Sequence, residues 1–194
     1  MPEILTQKNL LAKKAQVIKD IKEGKLFIYP TDTLHGLGTN AQNKKSVEKI
    51  IDLKRRSGKA FLITAPSLEW IFDNCVITNK EIEKLLTEKL PGPYSFILKL
   101  KNAKAVSPLA VNFSKTIGVR LPNNWFSQII AESGVPFIST SINYAGEPSA
   151  KHLFDIPQEL RDSMDYIIWD EASSTGKAST IIDVTSGIPK ILRP

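Results

Sequence analysis

LFIYPTDTLHGLG, residues Leu26 to Gly38, opens with four apolar residues and closes on two glycines. The run Leu26-Phe27-Ile28-Tyr29 has the length and composition of a buried strand, and Pro30 ends it because proline has no N–H for the ladder. A loop is expected next, with Thr31, Asp32, Thr33 and His35 close together and Gly36 and Gly38 supplying permissive backbone. In open α/β sheets such a loop, at a strand's carboxyl end, is where ligands sit. The plain alternative is a glycine turn in which Asp32 and Thr33 only satisfy local backbone groups.

Composition narrows the class. A chain of 194 residues can bury one substantial core, and one domain over 1–194 is expected. Lys plus Arg is 26 against 20 for Asp plus Glu, a net charge of +6 that favours anionic partners such as nucleotide phosphates or RNA, or simply gives a solvated basic surface. One cysteine, Cys75, excludes an internal disulfide framework and fits a reducing compartment; with only two histidines a zinc site is not expected. Neither a signal-peptide segment nor an apolar run of membrane-spanning length is present, so a cytoplasmic, soluble protein is expected.

Helix-like and strand-like segments then alternate without repeats. Leu11, Ala15, Ile18 and Ile21 predict a first helix stopped by Gly24, and Asn43 caps a second carrying Val47, Ile50 and Ile51. Phe61 to Thr64 reads as a strand, followed by a Ser67-capped turn around Trp70, and Thr78 with Glu81 forms a capping-box pattern ahead of a third helix. Strands are expected at Tyr94 to Leu100, Ile117 to Leu121, Pro136 to Ser139, Tyr166 to Trp169, Thr180 to Val184 and Ile188 to Leu192, with a helix around Trp125, Ile129 and Ile130. The class is α/β with a mixed sheet.

The standard nucleotide fingerprints are missing: there is no G-x-x-x-x-G-K-[ST], and Gly36-Leu37-Gly38 is not completed to G-x-G-x-x-G. The strongest charge feature is Lys54, Arg55, Arg56 and Lys59, directly after a helix. Such a cluster can neutralise a triphosphate, although basic residues at a helix C-terminus are also favoured by the macrodipole alone.

Taken together, the polar segments carry a resemblance. YPTDTLHGLG, K-x-R at Lys54 and Arg56, LPGPYSF at Leu90 to Phe96, GVRLP at Gly118 to Pro122, STSINYAGEPS at Ser139 to Ser149, and STIIDV with the terminal ILRP are similar, in order, to the motifs of the YrdC-like family, the threonylcarbamoyl-AMP synthases of tRNA modification. The resemblance covers nearly the whole chain. It implies a twisted mixed β-sheet with flanking helices and a deep, basic concave face. It also implies an enzyme, a nucleotidyltransferase, that joins L-threonine, bicarbonate or CO2, and ATP into threonylcarbamoyl-AMP and pyrophosphate. Downstream tRNA threonylcarbamoyl transferase proteins are the implied partners.

By resemblance, Thr33, Arg120, Ser139 and Ser179 are expected around threonine, with Arg120 on its carboxylate. Lys54, Arg56, Thr116, Ser141, Asn143, Ser149 and Arg193 are expected around ATP. Catalysis would be positioning and charge neutralisation, with no covalent nucleophile and no dedicated metal cage; Mg2+ would come with the ATP phosphates, since Asp32 is the only acidic ligand expected at the site. Three positions depart from the family pattern: Ser57 where proline is common, Ala65 where many members have a threonine-contacting histidine, and His35 where tyrosine is usual. The chain ends one residue after Arg193, so the short, single-domain form is expected. Two rival readings stand beside this one. The first is a tRNA- or double-stranded-RNA-binding module of the same fold, which would account for the charge but not for the ordered Ser and Thr motifs. The second is a paralogue acting on another carbamoyl-adenylate.

Overall fold

The computed structural model describes residues 1–56, 58–144, 150, 152–169 and 175–194. The strands are β1 (Glu3–Leu5), β2 (Phe27–Tyr29), β3 (Gly36–Gly38), β4 (Leu62–Thr64), β5 (Cys75–Val76), β6 (Tyr94–Leu100), β7 (Thr116–Arg120), β8 (Phe137–Ser141), β9 (Tyr166–Ile168), β10 (Thr180–Asp183) and β11 (Lys190–Arg193). The helices are α1 (Gln7–Ala12), α2 (Lys14–Glu23), α3 (Lys44–Leu53), α4 (Leu68–Asn74), α5 (Lys80–Lys89), α6 (Trp125–Ser133) and α7 (Gln158–Asp162). The strands form one open mixed sheet in the order β1-β9-β2-β3-β8-β4-β7-β6-β10-β11, with β5 added against β6.

Burial on both faces explains the apolar run of β2. Phe27 and Tyr29 point into one cluster with Phe126, Phe137, Tyr166 and Val17, while Ile28, between them, belongs to the opposite cluster with Leu37, Val47, Ile50, Ile63 and Val119. Successive strand side chains alternate between faces, so a strand covered on both sides must be apolar throughout. In the first cluster Phe27 stacks on Tyr166 at 4.9 Å and meets Phe137 edge-on at 5.7 Å. Each such buried aromatic contributes about 1.5–3 kcal/mol through area removed from water.

The structure corrects four local expectations. Gly36 to Gly38 is strand β3, fully buried between β2 and β8, and neither glycine has positive φ. A methyl group on Gly38 would stand 2.0 Å from the Ile138 carbonyl oxygen, so the glycine is required by close strand approach, not by a turn. The first helix is two: the chain breaks at Lys13, which turns Leu11 outward to 50% exposure and buries Leu10 and Val17 instead. The Ser67-capped turn is helix α4, the serine accepting from Trp70 N at 3.1 Å. Asn79, not Thr78, caps α5, accepting from Ile82 N at 2.9 Å. Gly24 does stop α2, with φ +85°, and Asn43 does cap α3.

Helices α1, α2 and α6 cover the face bearing Phe27 and Tyr29 only over the β1-β9-β2-β3 half of the sheet and up to Phe137 of β8. Further along, the same face carries Leu62, Gly118, Arg120, Ser139 and Ile181, and a cavity lies over them. Among the described residues no helix is long and apolar enough to cross a membrane.

Candidate active site

The cavity has a volume of about 380 Å³, inside the range of small-molecule sites. Strand alternation builds its floor. On β7, Ile117 and Val119 go into the core, leaving Thr116, Gly118 and Arg120 toward the cavity. The neighbours pair to match: Gly118 lies opposite Leu62 of β4 and Ile97 of β6, and Leu62 lies opposite Ser139 of β8. The site therefore occupies an open sheet face, where the loop at a strand's carboxyl end had been expected to provide it; the loop after β2 contributes Thr33, Leu34 and His35 as one wall.

Arg120 stands at one end and is 5% exposed. Its Nη2 donates to Asp32 Oδ1 at 2.6 Å and to Thr33 Oγ1 at 3.0 Å. The second Asp32 oxygen accepts from the Asn123 backbone N–H at 3.0 Å, and the Thr31 and Thr33 hydroxyls are bonded at 3.0 Å. The PTDT turn is thus a small polar scaffold that fixes the guanidinium. Burial pushes the Arg120 group down from its ordinary value and Asp32 opposes this, which keeps the cation charged at neutral pH. Arg120 Nε is buried with no partner among the described residues. An orphan donor on a fixed cation is a place for an anionic oxygen.

Ser179 and Arg193 form the wall beside it. Ser179 Oγ shares a 2.8 Å hydrogen bond with Ser95 Oγ, while Arg193 donates through Nε and Nη2 to the Ser179 carbonyl at 3.0 and 2.7 Å. Arg193 is thereby held in place only a residue from the chain end. Backbone bonds from Gly176 N to Thr33 O (2.9 Å) and Thr175 N to Asp32 O (3.3 Å) tie this side to the PTDT turn.

The cationic cluster after α3 divides three ways. Lys54, 1% exposed, turns inward: its Nζ donates to the Ser141 carbonyl at 2.5 Å and to Asn143 Oδ1 at 2.7 Å, and that same Oδ1 accepts from Ser141 Oγ at 2.6 Å. Burial, with the Arg56 charge adding, brings the lysine down to about 8. Arg55 adopts φ +49° and points out, over the Tyr144 ring at 4.3 Å and to Glu159 at 3.3 Å. Arg56 reaches the cavity, its Nη2 on the Ala60 carbonyl at 2.7 Å, its guanidinium 5.0 Å from the Phe61 ring centre, and its Nε buried without a partner among the described residues.

Of the residues singled out in the sequence, Thr33, Arg56, Thr116, Arg120, Ser139, Ser141, Ser179 and Arg193 line the cavity. Lys54 and Asn143 do not line it; they brace Ser141, which does. Ser149 lies outside the described residues. Sequence reading missed the apolar part: Phe61, Leu62, Ile97 and Ile181 line the site although each reads simply as strand core, and only strand pairing sends Leu62, Ile97 and Ile181 to this face. It also missed Asp32 as the anchor of Arg120. Ala65 is buried in the core, its N–H on the Arg120 carbonyl at 2.9 Å. His35 lines the cavity and stacks on Trp169 at 4.0 Å. No cluster of three or more potential metal ligands occurs among the described residues.

Residues 19–194 match the Sua5/YciO/YrdC family, which is described under telomere recombination. A Bacillus subtilis protein named threonylcarbamoyl-AMP synthase is 28% identical over 182 residues, covering 93% of this chain and 52% of that protein. A Methanocaldococcus jannaschii protein provisionally given the same name is 34% identical over 167 residues, 86% of this chain and 77% of its own. The solved structure of Pyrococcus abyssi Sua5 complexed with L-threonine superposes with a TM-score of 0.86 at 27% identity, over 100% of this chain and 57% of that one. The chain thus spans about half the length of the Bacillus and Pyrococcus relatives. With a match over residues 19–194, this chain belongs to the Sua5/YciO/YrdC family.

Proposed function

We propose that this chain is a threonylcarbamoyl-AMP synthase, making threonylcarbamoyl-AMP and pyrophosphate from L-threonine, bicarbonate or CO2, and ATP for tRNA modification. The observation that carries the proposal is the convergence of Thr33, Ser139, Ser179 and Arg120 at one end of a single cavity with Arg56, Thr116, Ser141 and Arg193 around it. Such a site can hold an amino acid and a nucleotide side by side.

The chemistry asks little of the protein beyond placement. The threonine amine adds to CO2 to give a carbamate, a carbamate oxygen attacks the α-phosphorus of ATP, and pyrophosphate leaves. On this reading Arg120 Nε receives the threonine carboxylate, while Thr33 and Ser139 fix the rest of the amino acid. Arg56 and Arg193 supply positive charge to the phosphates, and Lys54 keeps Ser141 and Asn143 in position. Bringing the carbamate within reach of phosphorus supplies proximity, which accounts for a large share of such rate enhancements. Mg2+ would be held by the phosphates and water, because Asp32 already serves Arg120 and the Asn123 N–H.

The test is pyrophosphate release from ATP with and without L-threonine and bicarbonate. Release that requires both substrates is expected; ATP turnover indifferent to threonine would overturn the assignment and leave the paralogue or the RNA module. Transfer of the product to tRNA by a downstream transferase would then be the physiological step.

A further inference from the structure

The Tyr29 ring is 1% exposed and packs on Phe126 at 5.1 Å and edge-on to Phe137 at 5.3 Å. Phenylalanine would serve that packing equally well, so packing does not explain the hydroxyl. In the sheet Tyr29 lies opposite Gly36 of β3, and β8 is the next strand beyond. The hydroxyl passes β3 and donates to the Ile138 carbonyl of β8 at 3.1 Å. Neighbouring strands lie about 4.8 Å apart, so this one side chain joins two strands roughly 10 Å from each other. Gly36 makes the crossing possible: a methyl there would stand 3.1 Å from the ring and 3.3 Å from the hydroxyl oxygen.

The contact falls beside the cavity, which Gly36, Ser139 and Arg120 all line while Tyr29 does not. Ile138 is held in the ladder by its N–H, bonded to Thr39 O at 2.8 Å, and its carbonyl belongs to the peptide unit that carries the Ser139 N–H. Burial pushes the Tyr29 phenol up from its ordinary value, and a hydrogen bond from the Ser139 side chain and the Arg120 charge pull the other way without prevailing. The phenol therefore stays protonated and able to donate. Along the chain Tyr29 leads into the PTDT turn, where Thr33 bonds Arg120 at 3.0 Å. One hydroxyl thus links the root of that turn to the strand that carries Ser139.

Resting on the synthase reading above, we infer that Tyr29 is a positioning residue for threonine, which acts through Ile138 and Ser139 to set the spacing between Ser139 on β8 and the Thr33–Arg120 pair. The amino acid has to meet both walls at once, and a site is only as precise as the groups that lock its contacting side chains. Removing the hydroxyl leaves the ring in its aromatic cluster, takes the donor from the Ile138 carbonyl and frees Ser139 to turn. The cations expected around the phosphates are held elsewhere, Arg56 on Ala60 and Arg193 on Ser179, so the loss should fall on threonine and not on ATP.

The experiment is calorimetric titration of threonine and of ATP into the whole chain and its Tyr29→Phe, Ser139→Ala, doubly substituted and Tyr166→Phe variants, with thermal unfolding of each. In Tyr29→Phe threonine should bind about three- to tenfold more weakly, as expected for one lost hydrogen bond, with ATP affinity unchanged. Because Tyr29 acts through Ser139, adding Tyr29→Phe to Ser139→Ala should cause no further loss. Tyr166→Phe removes another buried phenol hydroxyl, bonded to Asp20 at 2.6 Å, and controls for general loosening. It should lower the unfolding temperature and leave threonine affinity as in wild type. Undiminished threonine binding in Tyr29→Phe, an equal loss in both Ser139 backgrounds, or an equal threonine defect in Tyr166→Phe overturns the inference and leaves the synthase reading intact. Wild type that takes up no threonine, with or without ATP, overturns both.

Discussion

Arg120 offers the sharpest test of the amino-acid end of the site, because its two roles respond differently to substitution. Its guanidinium pairs with Asp32 at 2.6 Å and bonds Thr33 at 3.0 Å, and its Nε is buried without a partner among the described residues. Arg120→Lys keeps a cation near Asp32 but removes the planar fork, including that Nε donor. One charge-assisted hydrogen bond to a carboxylate is worth about 1.5–3 kcal/mol, so threonine affinity should fall about ten- to a hundredfold with little change in stability. Arg120→Ala does more: it strands the Asp32 carboxylate, whose side chain is 12% exposed, and breaking a buried pair in this way costs about 3–5 kcal/mol. Its unfolding temperature should drop by about 10 °C or more. Adding Asp32→Asn removes the stranded charge and should recover much of that loss without restoring threonine binding. The assay is calorimetric titration of threonine and of ATP, with thermal unfolding, on all three variants. ATP affinity should stay near wild type in Arg120→Lys, and unchanged threonine binding there would refute the placement of the carboxylate. If instead the surface binds RNA, Arg120→Lys should have no threonine phenotype, and Arg120→Ala should lower the salt slope of RNA binding by about one.

Other outcomes are equally specific. Lys54, held down to about 8 in the fold against an ordinary 10.5, binds its proton less tightly folded than unfolded, so its burial penalty is complete below pH 8 and is relieved as pH rises from 8 toward 10.5. The stability of wild type relative to Lys54→Met, measured by denaturant unfolding, should therefore increase across that window; parallel curves would show that the lysine titrates normally. Cys75, buried with its thiol pushed up to about 12, should be inert to a thiol reagent at pH 8 in the native protein and react once per chain on unfolding. Gly38→Ala should be destabilising by at least about 1–3 kcal/mol, because its methyl would meet the Ile138 carbonyl, and a soluble variant with an unchanged unfolding temperature would contradict the close β3–β8 approach.

What the amino-acid sequence determined by itself was whatever depends on a few neighbouring residues. The continuous apolar run at Leu26 to Tyr29 required a strand covered on both faces, Asn43 marked a helix start through its side-chain acceptor, and Gly24 marked a stop by its left-handed backbone. The ordered polar motifs, through their resemblance, named nearly every polar side chain that the cavity brings together. Only tertiary structure could decide facts that rest on partners far along the chain. Gly36 and Gly38 looked like a turn because nothing local says that Ile138, a hundred residues later in sequence, lies against Gly38 and leaves no room for a side chain. Lys54, Arg55 and Arg56 looked like one phosphate-binding cluster. In the fold the left-handed turn at Arg55 sends the three cations to the Ser141–Asn143 loop, to Glu159 and Tyr144, and to the cavity, because consecutive residues at a helix end leave in different directions and each is held by a distant partner. Arg120 was legible as a candidate site cation, but its ion pair with Asp32, from a loop 88 positions away, appears only when β7 is laid beside the PTDT turn.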